Sequence, residues 1–589
     1  MKISAVLKFF VRHHFIVAAV LLVSGSALLF GPALNFPAEW FDDRLYITEN
    51  HFLEMTWDNF LYWYVTPILQ LHTPLQMHSY MLDRWLWGEE NFLFGLHLVN
   101  VFWHTAGALG FYLLLLEFGI RKPAALFFAL LFSLHPQRLE SVVWVSERKD
   151  VLAFCFAVWG VWFFIRALKR DRFSPAAGIC LILSLLGKPM AIMFPVICAI
   201  FIFVFRKRPA FREILRLTLP LFIISALYMA IYPGQISSIG NNIAATTDIL
   251  FRVRIIVWNY TAYFLKTFLP LNLTPIYPFY DPEEFSLVPG LIAVVLAVGV
   301  VVIYWRRREF RMVKLILATA AGFTLTVLPM VGLTRLGNTD FADRYSYLPS
   351  IFIWLATAAV LGDVLRRQPT LRRIINPAAL IYLVTLTTMS VFYLDTWRSR
   401  ETFEMAAMEP KTPNYLVAMT YGLRCWSYGN LDGCRELLDS KLPIRSHYTP
   451  ETREAIETYR ELLTGLLLLQ SDNPEAGYDR LYAIIDSPRR RYLPVYSRQF
   501  TPMLLAKMAE VALVRRDLEL AAILNRELAL IGEEDGDMVR YHFYMGVVCQ
   551  LEQRWREAEQ HYLKALESAP DDANILGNLE VVRARLREK

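Results

Sequence analysis

Two acids stand side by side at Asp42 and Asp43 in EWFDDRLYITEN (39–50), shortly after a long apolar segment. Paired acids beside a lipid interface are costly unless they are solvated, paired or used. A carboxylate there is placed to take a proton from an acceptor hydroxyl, or one of the two to hold a divalent cation. The plainer alternative is a helix cap in a solvated turn. A second charged stretch is HPQRLESVVWVSERKDVL (135–152). If it is helical, Glu140, Trp144 and Glu147 share one face at i, i+4, i+7 spacing, with Arg148 at its edge. Arg148 and Lys149 suit a lipid phosphate, Arg as a bidentate fork and Lys as a point charge. The alternative is a self-neutralising helix lying on the bilayer. The third stretch, TRLGNTDFADRYSYLPS (334–350), sets Asp343, Arg344, Tyr345 and Tyr347 just before Leu348-Pro349, with Arg335 as a further cation. An aromatic belt with a capping Asp–Arg pair would explain it without a ligand. Lys188, next to Pro189 in LLGKPMAIMFP (185–195), is placed to reach a lipid phosphate. His97 and His104 fall on one helical face and are expected to be satisfied by helix–helix hydrogen bonds rather than a metal. No P-loop or dinucleotide-binding glycine pattern occurs, so an activated donor would arrive attached to a lipid.

The elements that must position these residues are set by composition. Of 589 residues, 55% are hydrophobic and only 19% charged, against about 25% charged in an ordinary soluble domain. A wholly soluble chain, a disordered one and a disulfide-stapled secreted module are all excluded on that ground, the last also because six cysteines build no framework in so long a chain. The net charge of +6 is no nucleic-acid signature, because the Lys and Arg gather at the ends of apolar segments. At about 20 apolar residues per crossing, the spacing predicts eleven spans, near 14–34, 94–117, 123–135, 150–168, 175–187, 189–205, 214–232, 287–305, 312–333, 346–364 and 374–394. Basic clusters such as Arg306/Arg307/Arg308/Arg311 occupy every second connection. That alternation puts the N-terminus in the cytoplasm and the three charged stretches outside. It requires 251–270, which carries Arg252, Arg254 and Lys266, to lie in the interface or against the bundle rather than cross. The first apolar segment is expected to stay, since it lacks a small-residue cleavage site.

From 395 onward the chain is rich in Glu, Arg and Ala. VRYHFYMGVVCQLEQRWREAEQHYLKALESAP (539–570) sets Gly546, Ala558, Tyr562, Ala565 and Pro570 at tetratricopeptide-repeat spacing. Weaker units precede it, so four to five paired-helix repeats are expected to stack as an α-solenoid. Cys425 and Cys434 could pair in an oxidising compartment or remain as two small buried residues. The expected architecture is all-α: a polytopic helical membrane bundle over 1–394, then an extracytoplasmic repeat domain over 395–589.

DDRLYITEN, HPQRLESVVWVSERKDVL, GKPMAIMFP, FLPLNLTPIYPFY (268–280), DRYSYLPS, TWRSRETF (396–403) and the repeat tail occur in that order. Together they resemble the transmembrane and tetratricopeptide-repeat O-mannosyltransferases and their bacterial relatives, of the GT-C glycosyltransferase superfamily. The resemblance implies a polyprenyl-phosphate-sugar donor, attack by a hydroxyl acceptor (a protein Ser or Thr) and inversion at the anomeric carbon. It implies Asp42 as the base, Asp43 as a second acid orienting the acceptor, and Glu140 lining the site. Arg148, Lys149 and Arg344 would neutralise the departing phosphate, and the repeats would hold a protein or peptide acceptor. Placement in a bacterial inner membrane follows from the same resemblance. Two other functions fit the same features, a polysaccharide polymerase or ligase with a lipid-pyrophosphate donor and a non-catalytic repeat scaffold anchored in the membrane.

Overall fold

The computed structural model describes residues 13–38, 42–69, 71–233, 249–278, 288–332, 341–410, 413–442, 444, 450–471, 473–489, 501–535 and 538–587. Arg335 therefore lies outside the described residues, as does most of the loop before Phe341. The chain divides into two compact units, Met1–Ala407 and Met408–Lys589. Residues 395–407, which the sequence assigns to the repeat domain, pack with the first unit.

Among the described residues both units are built of helices, and the one β-bridge pairs Ile68 with Leu71. In the first unit seven helices are long and apolar enough to cross a bilayer: His14–Asn35, Phe92–Glu117, Val145–Lys169, Phe211–Ile231, Val288–Arg306, Phe310–Met330 and Pro369–Trp397. The chain thus reads as a multi-pass membrane protein. The other four expected spans are helical but fall short in length or apolarity. Lys122–Ser133, Pro175–Gly187 and Pro189–Phe205 are the shorter apolar helices, and Ser350–Arg367 carries Asp363, Arg366 and Arg367 in its last turns. The stretch with Arg252 and Arg254 forms the helix Ile249–Lys266, which is not among the seven.

Four helices of this unit carry the site. We label Pro74–Trp87 α1, Phe92–Glu117 α2, Arg148–Lys169 α3 and Pro175–Gly187 α4. The hairpin of α3 on α4 and the pairing of α2 with α3 form its centre. Small residues let them close: a Cβ on Gly107 would fall 2.7 Å from the Phe154 ring, and one on Gly160 2.9 Å from Cys180 Cβ. Ring packing of Phe132 on Phe154, with Tyr347 edge-on to both, continues this core up to the charged turns.

The second unit is a succession of helix pairs. Tyr415–Ser427 pairs with Leu431–Glu436, Pro450–Leu468 with Pro474–Ile485, Thr501–Val514 with Leu518–Asp535, and Val539–Leu551 with Trp555–Ser568, with Ala573–Arg587 closing the row. Among the described residues the main packing of each pair is on the next in sequence, which is the one-dimensional order of a solenoid. Gly546 shows why a small residue is needed where paired helices touch, since a Cβ there would fall 2.5 Å from the Tyr562 ring. All six cysteines are buried and outside any disulfide, Cys425 and Cys434 included.

Candidate functional site

The site is assembled from three turns. The first is Arg44–Thr48, a single wide helical turn that Asp43 heads. Asp43 is fully buried, and its carboxylate accepts from the Ser146 amide at 3.1 Å and from the Ser146 hydroxyl. It braces the first outer segment against the second and is not presented to a substrate. Asp42 beside it is half-buried. Among the described residues its carboxylate has no hydrogen bond and no ion pair, and it lies in the field of Lys149, Glu147, Arg344 and Lys188. Burial raises its pKa above the ordinary 3.8; Lys149 opposes that rise and Glu147 adds to it.

The second turn is 135–150. The single helix expected across Glu140, Trp144 and Glu147 is broken: Leu139–Val143 is helical, Trp144 is extended at ψ 108°, and Val145–Glu147 is a separate tight turn. Tertiary partners have replaced the helix's own ladder. Tyr80 donates to the Val145 carbonyl at 2.6 Å and Gln76 to the Ser146 carbonyl at 2.7 Å, while the Ser146 amide goes to Asp43. Glu140 and Glu147 still meet, but through a third turn. In Asp343–Ser346, the Arg344 amide donates to Glu140 Oε2 at 2.8 Å, and the Arg344 guanidinium pairs with the other oxygen and lies 3.5 Å from Glu147 Oε1.

Glu147 is the hub. Lys149 Nζ is 3.0 Å from Oε1, Lys188 Nζ 3.8 Å from Oε2, and Lys188 also pairs with Asp150. Tyr345 lies under the Arg344 guanidinium at 4.8 Å, with Lys188 5.8 Å from its ring centre. The structure thus brings together Asp42, Glu140, Glu147, Lys149, Lys188, Arg344 and Tyr345. Glu140 is pushed up to about 7 by burial, against the pull of Arg344 and with a further push from Asp343.

Besides Asp43, two expected site residues stand outside this cluster. Arg148 is fully buried and spent on the opposite side of α3: it pairs with Asp83 of α1, donates to Asn100 Oδ1 at 2.7 Å and to the Leu96 carbonyl at 2.6 Å, and lies over Tyr80. It is corrected from a phosphate ligand to a strut among three helices, because adjacent helical residues point about 100° apart. Asp343 is buried behind Arg344, accepting from Gln137 at 2.9 Å and Tyr277 at 2.8 Å. The residues that sequence reasoning did not select are Gln137, Arg138 and Ser146, which fasten the three turns to one another. His97 and His104 bond to the Phe36 carbonyl and to Tyr347 and Ser133, as helix-bridging groups.

One cavity is lined by members of this cluster, and a second adjoins that cavity. The polar one is lined by Asp150, Ser184, Lys188, Arg344 and Tyr347 together with apolar neighbours. The other is lined almost wholly by apolar side chains, including Val158, Phe194, Ile197 and Phe352, and the two share Met190, Ala191 and Leu348. Among the described residues no group of three or more His, Cys, Asp and Glu side chains is arranged to hold a metal. The oxygens of Glu147 already face Lys149, Lys188 and Arg344.

No family model and no curated protein matches the chain. Among solved structures it is similar to the Archaeoglobus fulgidus oligosaccharyltransferase tethered to an acceptor peptide containing the NVT sequon, at 14% identity and TM-score 0.38, over 75% of this chain and 61% of that one. It is similar also to the oligosaccharyltransferase AglB of the same organism in complex with an inhibitory peptide and a dolichol-phosphate, at 14% identity and TM-score 0.38, over 77% of this chain and 60% of that one. The chain spans about 60% of the length of these proteins. A likeness at that score decides nothing about activity.

Proposed function

We propose that this chain is a membrane glycosyltransferase that moves a hexose of mannose type from a polyprenyl-phosphate donor to a hydroxyl, on the extracytoplasmic face of a bacterial inner membrane. The observation that carries the reading is Asp42: a half-buried carboxylate with no hydrogen bond or ion pair among the described residues, set in the field of Lys149, Lys188 and Arg344, two of which, Lys188 and Arg344, line a cavity that adjoins an apolar one. A polyprenyl phosphate needs both, cations for its head and an apolar space for its chain. The resemblance of the motif order to the O-mannosyltransferases points the same way.

In this reading Asp42 takes the proton of the acceptor hydroxyl as its oxygen attacks the anomeric carbon. The bond from that carbon to the phosphate oxygen breaks on the opposite face, and the polyprenyl phosphate departs with the electron pair. Arg344 and Lys188 leave Glu140 and Asp150 to receive it, Arg344 as a fork and Lys188 as a point charge. Stabilising that leaving group is the larger rate term, and general-base help contributes about 10²–10⁴. Asp43 acts by holding the Asp42 turn on Ser146, and the helix pairs of the second unit serve as tetratricopeptide repeats that present a protein or peptide acceptor. No step uses a metal.

The test is sugar transfer in nanodiscs with a panel of polyprenyl-phosphate sugars and an extract of extracytoplasmic proteins. Transfer by wild type that collapses in Asp42→Asn, with folding unchanged, is the expected result and identifies the sugar. Equal transfer by both removes Asp42 from the chemistry. No transfer with any donor, alongside a stable complex captured through the helix pairs, replaces the enzyme by a scaffold.

A further inference from the structure

Lys207, Arg208, Arg306, Arg307, Arg308 and Arg311 are exposed, and among the described residues none of their side chains makes a hydrogen bond or ion pair. The function proposed above employs none of them. Their two turns lie at helix ends that charge alternation assigns to the cytoplasm. That rule asks only for positive charge near the spans, in no particular residue or place. Three features go beyond it.

The first is backbone conformation. Arg308 has φ +57°, the left-handed position that closes a helix and that glycine occupies at least cost. The Glu309 amide donates back to the Tyr304 carbonyl at 3.0 Å, and the Arg308 amide to that of Trp305 at 2.9 Å. This turn is therefore the built end of Val288–Arg306. An arginine there carries strain that a glycine would avoid, and such strain points to use.

The second feature is how the turns are gathered. Lys314, one helical turn beyond Arg311, donates to the Arg206 and Lys207 carbonyls, each at 3.1 Å. The carboxylates nearby are already occupied. Glu309 pairs with Arg367, which also reaches Asp363 at 2.7 Å, and Glu213 pairs with Arg206 at 3.0 Å. The two turns are thus clipped together while their exposed cations stay unclaimed.

The third feature is depth. Trp305 and Phe310, 60% and 49% exposed, meet edge to face at 5.4 Å across the turn. Exposed rings at the end of a span settle at the headgroup level, which sets these arginines in the plane of the lipid phosphates.

We propose that the 206–208 and 306–311 turns form a binding site for the phosphate headgroup of an anionic phospholipid. The arginines offer forks to the phosphate oxygens and Lys207 a point charge.

The test is lipid retention by the full-length protein in a neutral detergent, read by native mass spectrometry. The probes are phosphatidylglycerol, phosphatidylcholine of the same chains, and inorganic phosphate as competitor. Wild type is expected to prefer phosphatidylglycerol about tenfold or more, since each cation near an anionic lipid contributes a factor of about five. Arg308→Gly should weaken phosphatidylglycerol binding about fivefold, yet unfold at an equal or higher temperature because the left-handed turn is relieved. Those opposite signs separate binding from folding. The triple variant Arg307→Gln, Arg308→Gly, Arg311→Gln should lose the preference; if it does not fold, Arg308→Gly decides alone. Equal retention of both lipids by wild type, or an unchanged preference in folded Arg308→Gly, overturns the proposal. Displacement of phosphatidylglycerol by inorganic phosphate would make this a free-phosphate site and overturn the lipid as its ligand.

Discussion

The two adjacent acids have opposite fates, and the difference makes a prediction at the level of single residues. Asp43 has its carboxylate occupied by Ser146, whereas Asp42 stands without a partner among the cations. A general base works only when ionised, and burial lifts Asp42 above 3.8. Transfer should therefore fall as pH drops through a pKa higher than that of an ordinary aspartate. Asp42→Asn should lower kcat by about 10²–10⁴ and abolish that acid limb, as measured from kcat/KM against pH. A limb that persists in Asp42→Asn would assign it to another group. The cluster itself was largely legible in the sequence, since Asp42, Glu147, Lys149, Lys188 and Arg344 all flank the ends of apolar segments, where charge is costly unless it is solvated, paired or used. Arg148 was misread because its nearest sequence neighbour, Lys149, shares its charge but not its direction. Its partner Asp83 lies 65 residues earlier, with nothing local to announce it.

At the level of elements, the turns at 136–140 and 343–346 are fastened by three contacts: Gln137 to Asp343, Arg138 to Ser346 and Glu140 to Arg344. Replacing Gln137 by Leu strands a buried carboxylate oxygen and should cost about 1–3 kcal/mol, read as a lower unfolding temperature in detergent. In the last helix pair, Gly546→Val drives a side chain into Tyr562, whose hydroxyl is tied to Gln550 at 2.9 Å. That overpacking should cost about 1–3 kcal/mol in the stability of the second unit, followed by thermal unfolding. The helices and their pairing were readable from periodicity and small residues. The break at Trp144 was not, because the groups that took over its ladder, Tyr80, Gln76 and Asp43, come from 65, 70 and 103 residues away. Gln137 and Arg138 were passed over for the same reason, with partners 206 and 208 residues distant.

At the level of the whole molecule, charge alternation predicts that the second unit lies outside the cytoplasm. All six native cysteines are buried, so a single new thiol at the exposed Ser568 gives a clean readout. Ser568→Cys should react with a membrane-impermeant maleimide on intact spheroplasts; reaction only after permeabilisation would invert the orientation. Among the described residues seven helices meet the full length and apolarity of a crossing where eleven were expected, because three of the remaining four are short and the fourth, Ser350–Arg367, carries Asp363, Arg366 and Arg367 in its last turns. The clamp between those turns also has a consequence for how the protein is made. Glu140 and the Arg344 amide it accepts from are 204 residues apart. At about 5–20 residues per second on the ribosome, roughly 10–40 s separate their synthesis. Throughout that interval the nascent chain carries an unmatched acid beside helices already delivered to the lipid, so biogenesis has a window in which insertion factors and proteases, rather than the finished fold, determine its fate.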